Sequence, residues 1–372
     1  MPRVAIIILN WNGWADTIQC IDSIHLLSNS DYDVILVDNH SSDSSIENIR
    51  RYCEGTGDKK FIGNAPIHLF ELLEDDVDSY ALDLSSYNHL EPCRRLILIK
   101  NNENHGYARG NNIGIRFALN ALKSKYILIL NNDVIIKDKE MLGKLTGAIN
   151  RDSRIGAVSP ILRSTAGEIQ RTCTGNLPDF LDFIFVYTFI GQRLFKESKV
   201  LKKHFNYDYP FDRPREFGVL GGSCILFRSQ ALEGVGLFDE NTFLYWEEYI
   251  IGCKFARHGW KLLLNPDTEV IHKGESCIKN MNLKSWARYW SIKSELYYIE
   301  NYASMNAIKR SIIRFTLLLE TILALFDTIL KGGESKFDRE YELKSISILL
   351  GYPAKTGASW QQDTPEQHGR SF

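Results

Sequence analysis

The chain has 372 residues, 44% apolar and 24% charged, the composition of a globular protein with a buried core. Forty-four basic against 46 acidic residues leave a net charge of -2, without the basic excess of a dedicated nucleic-acid binder. Seven scattered cysteines with no C-x-x-C pair argue against a zinc knuckle or disulfide framework and for a reducing cytosol.

The opening MPRVAIIILNWN carries an apolar run too short for a signal h-region or a spanning helix, so secretion is not expected. Val4–Leu9 is a continuous β-branched run, the pattern of a strand buried on both faces. Asp16 is read as capping a helix that turns Ile18, Ile21, Ile24 and Leu27 inward. Val34–Val37 is the second strand, and Ser44-x-x-Glu47 reads as a capping box opening the next helix. Residues 53–93 break the rhythm: no Lys or Arg occurs from Phe61 to Cys93, while Glu71, Glu74, Asp75, Asp76, Asp78 and Asp83 do. This stretch reads as a solvated acidic insertion between two sheet elements.

Leu96–Ile99 is a third strand, followed by a glycine- and asparagine-rich turn and a helix around Asn112–Leu122. Tyr126–Leu130 is a fourth strand and Met141–Ile149 a further helix. Such alternation predicts a mostly parallel sheet flanked by helices. Gly221–Phe227 reads as a strand entered through a glycine pair, and Glu247–Gly259 as a helix. Beyond Asn282 the pattern is helical; Arg310–Leu330 is very apolar, but Arg314, Glu320 and Asp327 interrupt it. On a helical wheel Thr316, Glu320 and Asp327 share one side and leave a broad leucine-isoleucine face. The tail 351–372 is polar and is expected to be disordered.

Each of the four strands ends in amide or carboxylate side chains: Asn10, Asp38-Asn39, Asn101-Asn102 and Asn131-Asn132-Asp133. In an open parallel sheet these ends lie along one edge, where ligands bind. Singly, each is explained as a turn former; four in register point to a site. Neither G-x-G-x-x-G after the first strand nor G-x-x-x-x-G-K-[ST] occurs, so the two common phosphate loops are excluded, and a dinucleotide oxidoreductase with them. A divalent cation held by a carboxylate is the other way to meet diphosphate charge, with Asp133 its ligand. On spacing alone Asp133 serves equally as a turn-forming aspartate.

Seven stretches then fall in order over residues 4–277: IIILNWNG (6–13), VILVDNHSSD (34–43), NHGYARGNNIG (104–114), ILNNDV (129–134), GGSCILF (221–227), VGLFDENTFLYWEE (235–248) and VIHKGES (270–276). Together they resemble the family-2 glycosyltransferases of the GT-A fold, in their rhamnosyltransferase-like branch. The resemblance implies an α/β, Rossmann-like sheet in a catalytic domain over residues 1–280. Its nucleotide-binding half covers about 1–135 and its acceptor half about 136–280, with a C-terminal helical extension over 281–350.

The resemblance also implies roles. Asn10, Trp11, Asp38, Asn39, Gly106, Arg109, Gly110, Asn112 and Asn132 face the donor nucleotide; Gly221, Gly222 and Trp246 serve acceptor or sugar. Asp133 and His272 hold Mg²⁺ or Mn²⁺, with Asn131 where the family's metal motif has its first acidic residue. Glu248 stands at the position of the catalytic base, with Glu247 beside it. The implied reaction is inverting transfer from a nucleoside-diphosphate sugar, dTDP-rhamnose first, to a glycan or lipid-linked glycan. A UDP-hexose or UDP-N-acetylhexosamine donor is the alternative. A non-catalytic nucleotide-sugar-binding protein is the lower one, since both Glu248 and Asp133 are present. The expected location is cytoplasmic and peripheral on the inner face of the membrane, with the C-terminal helices meeting either the bilayer or a second copy in a homodimer.

Overall fold

The computed structural model describes residues 4–56, 67–79, 90–188, 191, 198–274, 283–330 and 336–351. The tail 352–372, Asp83, Cys277 and the end of the VIHKGES stretch lie outside them. In chain order the first half comprises β1 (Val4–Asn10), α1 (Trp14–Ile24), β2 (Tyr32–Asp38), α2 (Ser45–Glu54), β3 (His68–Leu73) and α3 (Asp76–Ser79). It continues with β4 (Arg95–Lys100), α4 (Gly106–Asn120), β5 (Tyr126–Asn131), β6 (Val134–Ile136) and α5 (Met141–Ile149). Then come β7 (Ile155–Arg163), β8 (Thr174–Gly175), α6 (Phe180–Phe185), α7 (Lys199–His204), β9 (Arg215–Phe217), β10 (Val219–Leu220) and β11 (Cys224–Arg228). The chain closes with α8 (Ser229–Gly234), α9 (Glu247–Arg257), β12 (Lys261–His272), α10 (Lys284–Asn301), α11 (Ala307–Leu330) and α12 (Lys336–Leu349).

A single ten-stranded sheet forms the core, in the order β3-β4-β2-β1-β5-β11-β7-β12-β6, with β9 pairing β12. Strands β3, β4, β2, β1 and β5 run parallel, and β11 enters antiparallel between β5 and β7. The β-branched runs of β1 and β2 are buried along both faces, as a sheet covered by helices on each side requires. Ile18, Ile21, Ile24 and Leu27 are buried against it, as the periodicity predicts.

Two helix starts differ from expectation. Asp16 lies in the first turn of α1 and pairs with Lys273, while Gly13 occupies the cap position. The Ser44 hydroxyl accepts from the Asn48 amide instead of capping α2, so no capping box forms. The acidic stretch also contributes to the sheet: its segment His68–Leu73 adds the edge strand β3 beside β4. Its charge is matched from outside, since Glu71 pairs with Arg50 and Lys100, and Glu74 with His105 and Arg109. Edge pairing left no alternation to read, because only Leu72 of β3 is fully buried.

The glycine-rich turn before α4 exists for close approach. Gly106 has φ +72°, and a Cβ there would collide with the Phe243 carbonyl. A Cβ at Gly110 would press on Leu9, so the glycine lets α4 lie against β1.

Candidate active site

The parallel register sets Asn10 beside Asp38 and Leu9 beside Asn131, so the strand ends line up along one edge. Above that edge opens a cavity of about 560 Å³. Of the residues singled out in the sequence, it is lined by Trp11, Asn39, Gly106, Asn132, Asp133, Gly221, Gly222, Glu247, Glu248 and His272. The remaining six lie elsewhere.

Asp38 is buried beneath the floor, accepting from Asn10 Nδ2 at 2.8 Å and from the Ser41 hydroxyl at 2.7 Å. Asn10 in turn accepts from Thr17 at 2.8 Å, and Asn132 donates to that threonine at 3.1 Å. The buried side chains Asn10 and Asp38 therefore set the loops that line the floor. Gly110 packs on β1, and Arg109 lies against Glu74 at 3.6 Å. Asn112 braces the 236–240 loop, donating to the Phe238 carbonyl and to Glu240, both at 2.9 Å. Trp246 is buried in an aromatic cluster, stacked on Phe183 with centroids 5.6 Å apart.

On one wall, Asp133 Oδ1 lies 3.4 Å from His272 Nε2, while Asp133 Oδ2 accepts from the Gly274 N–H at 3.0 Å. His272 ends β12, and β6 pairs with β12 so that His272 sits opposite Val134, next to Asp133. Among the described residues no group of three His, Cys, Asp or Glu side chains could hold a metal. Asp133 would give a divalent cation the oxygen donor that hard ions favour and His272 an imidazole nitrogen, leaving the other positions to a bound ligand and water. The donor set therefore fits a cation that arrives with its nucleotide.

Glu247 and Glu248, which open α9, line the same cavity. Tyr245 and Trp246 before them both have positive φ, 68° and 70°, a sharp turn that brings the helix start to the cavity. Glu248 accepts from the Gly222 N–H at 3.1 Å, and a Cβ on Gly222 would sit 2.5 Å from that same carboxylate oxygen. Burial raises the Glu248 pKa, while backbone N–H groups, its own and that of Gly222, pull it back. Glu247 is pushed well above the ordinary carboxylate value by burial and then by Glu248. Its Oε1 is buried without a hydrogen-bond partner, a group that a ligand hydroxyl would satisfy.

Gly222→Ala is therefore expected to displace Glu248 and lower kcat by at least ~10², the scale of base catalysis, without unfolding the chain. Steady-state kinetics beside a thermal melt checks this, and an unchanged kcat would refute the contact.

Sequence reasoning missed the roof. Trp286, on α10, stacks on Trp11 with centroids 6.0 Å apart and also lines the cavity. No motif marks it; its only signal is a large aromatic in a helix rich in tryptophan and tyrosine. Tyr107, Gln170 and Tyr249 are further lining residues that the motifs did not single out.

A mostly parallel sheet with polar strand ends under a single cavity, flanked by a carboxylate–histidine pair and a helix-start carboxylate, is the GT-A arrangement of nucleotide-sugar transferases. The profile of "Glycosyl transferase family 2" matches residues 5–65 and 78–236, and the chain belongs to that family. Over 63 residues it is 41% identical to an N-acetylglucosaminyl-diphospho-decaprenol L-rhamnosyltransferase of Mycobacterium tuberculosis, covering 17% of this chain and 20% of that one. Over 224 residues it is 24% identical to the low-salt glycan biosynthesis hexosyltransferase Agl10 of Haloferax volcanii, covering 60% of this chain and 61% of that one. The chain thus spans from a fifth to three fifths of the length of these relatives. In fold it is similar to GalNAc-T7, solved with UDP, GalNAc and Mn²⁺, at a TM-score of 0.50 and 14% identity, covering 95% of this chain and 57% of the other.

Proposed function

We propose that the chain transfers a sugar, with inversion, from a nucleoside-diphosphate donor to a hydroxyl of a glycan or lipid-linked glycan. The observation that carries this reading is the meeting, in one cavity, of the Asp133–His272 pair with Glu248, held through the adjacent residues Ser223 and Gly222. Residues 1–135 hold the nucleotide and 136–280 the acceptor. Trp11 offers the base a stacking face and Asn132 a polar side chain, while Asn39 and the Gly106 backbone hold the adjoining turn through their own hydrogen bonds. A Mg²⁺ or Mn²⁺ ion held by Asp133 and His272 supplies Lewis-acid stabilisation of the leaving diphosphate. Glu248 takes the proton of the acceptor hydroxyl as its oxygen bonds to the anomeric carbon; the bond from that carbon to the diphosphate breaks on the opposite face. No covalent enzyme intermediate is needed. Similarity to a rhamnosyltransferase over 63 residues supports a dTDP-rhamnose donor; a UDP-hexose or UDP-N-acetylhexosamine is the second choice. A thermal-shift panel of nucleotide sugars with Mg²⁺ or Mn²⁺ tests this. The true donor at 100-fold over its Kd adds about 2.7 kcal/mol of stability, and a panel without any shift would overturn the reading.

We also propose that α11 docks on an anionic bilayer. Among the described residues no helix is long and apolar enough to cross a membrane. Its inward face buries Ile313 and Leu317 together with Glu320 and Thr321, while Ile308, Ile312, Phe315, Leu319, Leu323, Phe326 and Ile329 face out, 43–71% exposed. The side chain of Asp327 lies outside those described. The exposed stripe carries no charge, Lys309 and Arg339 are exposed nearby in sequence, and Glu295, Glu320 and Glu342 are buried. Apolar area with basic residues outside and acids inside suits anionic lipid. Full-length protein should float with phosphatidylglycerol vesicles, and a Phe315→Ser/Phe326→Ser variant should not. A dimer that fails to float, and that the double substitution dissociates, would assign the stripe to a second copy instead.

A further inference from the structure

Gln170 follows β7 and faces His272 with both ends of its amide. Its backbone is fixed, since its N–H donates to the Leu162 carbonyl at 2.9 Å and its carbonyl accepts from Cys173 at 2.8 Å. Its Nε2 donates to the His272 carbonyl at 2.8 Å, and its Oε1 lies 2.8 Å from His272 Nδ1. A carbonyl oxygen only accepts, so the amide orientation is determined: NH₂ toward the His272 carbonyl, oxygen toward the ring. Because Oε1 can only accept, Nδ1 must carry the hydrogen. In the neutral ring Nε2 is then a lone pair, and it faces Asp133 Oδ1 at 3.4 Å and the Ser223 hydroxyl at 3.1 Å. Two acceptors held this close on a cavity wall repel unless an electropositive group sits between them.

We propose that Gln170 is a positioning residue: it locks His272 in the Nδ1–H tautomer so that the Nε2 lone pair and the Asp133 carboxylate are presented together to a divalent cation. The inference rests on the cation reading above. A partner on the remote nitrogen of a ligating histidine fixes the ring and raises its basicity, and losing that partner costs ~10–100-fold in metal affinity. Gln170 is suited to the task because it grips the ring and the same residue's carbonyl at once, leaving the imidazole no rotation about its Cβ–Cγ bond without breaking a hydrogen bond.

The test measures Mn²⁺ binding to the full chain by electron paramagnetic resonance, with Mn²⁺ alone and with Mn²⁺ plus dTDP or UDP. Gln170→Leu should weaken Mn²⁺ by ~10–100-fold at an unchanged melting temperature. Gln170→Glu keeps an acceptor for the Nδ1–H but sets a carboxylate oxygen against the His272 carbonyl, so it should recover Mn²⁺ affinity only in part, between the leucine variant and the wild type. Nitrogen-15 spectra of the imidazole should show the Nδ1–H tautomer in the wild type and lose it in Gln170→Leu. If Asp133→Ala loses Mn²⁺ while Gln170→Leu keeps it, the positioning role is wrong. If Asp133→Ala also keeps wild-type affinity, the cation reading itself falls. Should Gln170→Leu fail to fold, the wild-type spectrum still decides, and an Nε2–H ring would overturn the inference.

Discussion

Asp133→Ala should lower turnover by at least ~10², more than the loss of a supporting residue around a metal ligand, while the chain stays folded. The carboxylate is almost fully buried, yet its partners are few: the Gly274 N–H on one oxygen and the His272 ring beside the other. Neither partner is a permanent cation, so the charge is left for a ligand to balance. That is the condition of a metal site whose ion arrives with the donor diphosphate. The fold should survive because the Asp133 backbone carbonyl, not its side chain, holds Lys273 in the β6–β12 pairing. Asp133→Asn separates charge from shape: the amide oxygen still accepts from Gly274, but the negative charge is gone. Both variants should lose cation-dependent donor binding together. Full activity in Asp133→Asn, or in wild type held in excess chelator, would remove the metal from the mechanism.

The sheet was legible because burial on both faces writes itself as uninterrupted β-branched runs. Val4–Leu9 and Tyr126–Leu130 therefore named β1 and β5 almost to the residue. The floor of the site was legible for a related reason, since parallel strands bring their carboxyl ends to one edge whatever their order in sequence. What escaped is long-range. Asn112 and Trp246 stand within motifs of the binding machinery, but one braces the 236–240 loop and the other fills an aromatic core. A motif records that a residue type recurs, not whether its side chain faces the ligand or the scaffold. Trp286 is the converse case: it comes from a helix far along the chain to stack on Trp11, and no local pattern announces such a contact. The outward apolar stripe of α11 was visible as a face on the wheel. Which side would turn inward was not, because that is set by contacts between helices, such as Arg288 of α10 donating to Thr321 at 3.4 Å.

Glu248→Gln should lower kcat by at least ~10², the lower bound of general-base catalysis, with donor affinity retained. Glu247 and Glu248 are neighbours at a helix start, so their side chains diverge by ~100°. Glu248 turns to the Gly222 N–H and the cavity, and Glu247 is almost fully buried. Burial lifts both pKa values, but for Glu248 its own and the Gly222 backbone N–H oppose it, whereas Glu247 is lifted further by Glu248 itself. Where two carboxylates couple, the one with the better-solvated anion ionises first, and here that is Glu248. The sign for catalysis follows. A base must be unprotonated, so the rate falls as pH drops through the raised Glu248 value, and the acid limb of kcat should lie above the ordinary 4.5. In Glu248→Gln that limb should vanish along with the rate. Burial and Glu248 favour the neutral form of Glu247, which glutamine resembles in shape, so Glu247→Gln should cost less and act on acceptor KM through the buried Oε1. That substitution should also flatten the loss of stability as pH rises, since a buried acid with a raised pKa destabilises the fold once it ionises. The reverse order of kcat losses would make Glu247 the base. If neither variant loses rate, base-assisted single displacement is the wrong mechanism for this cavity.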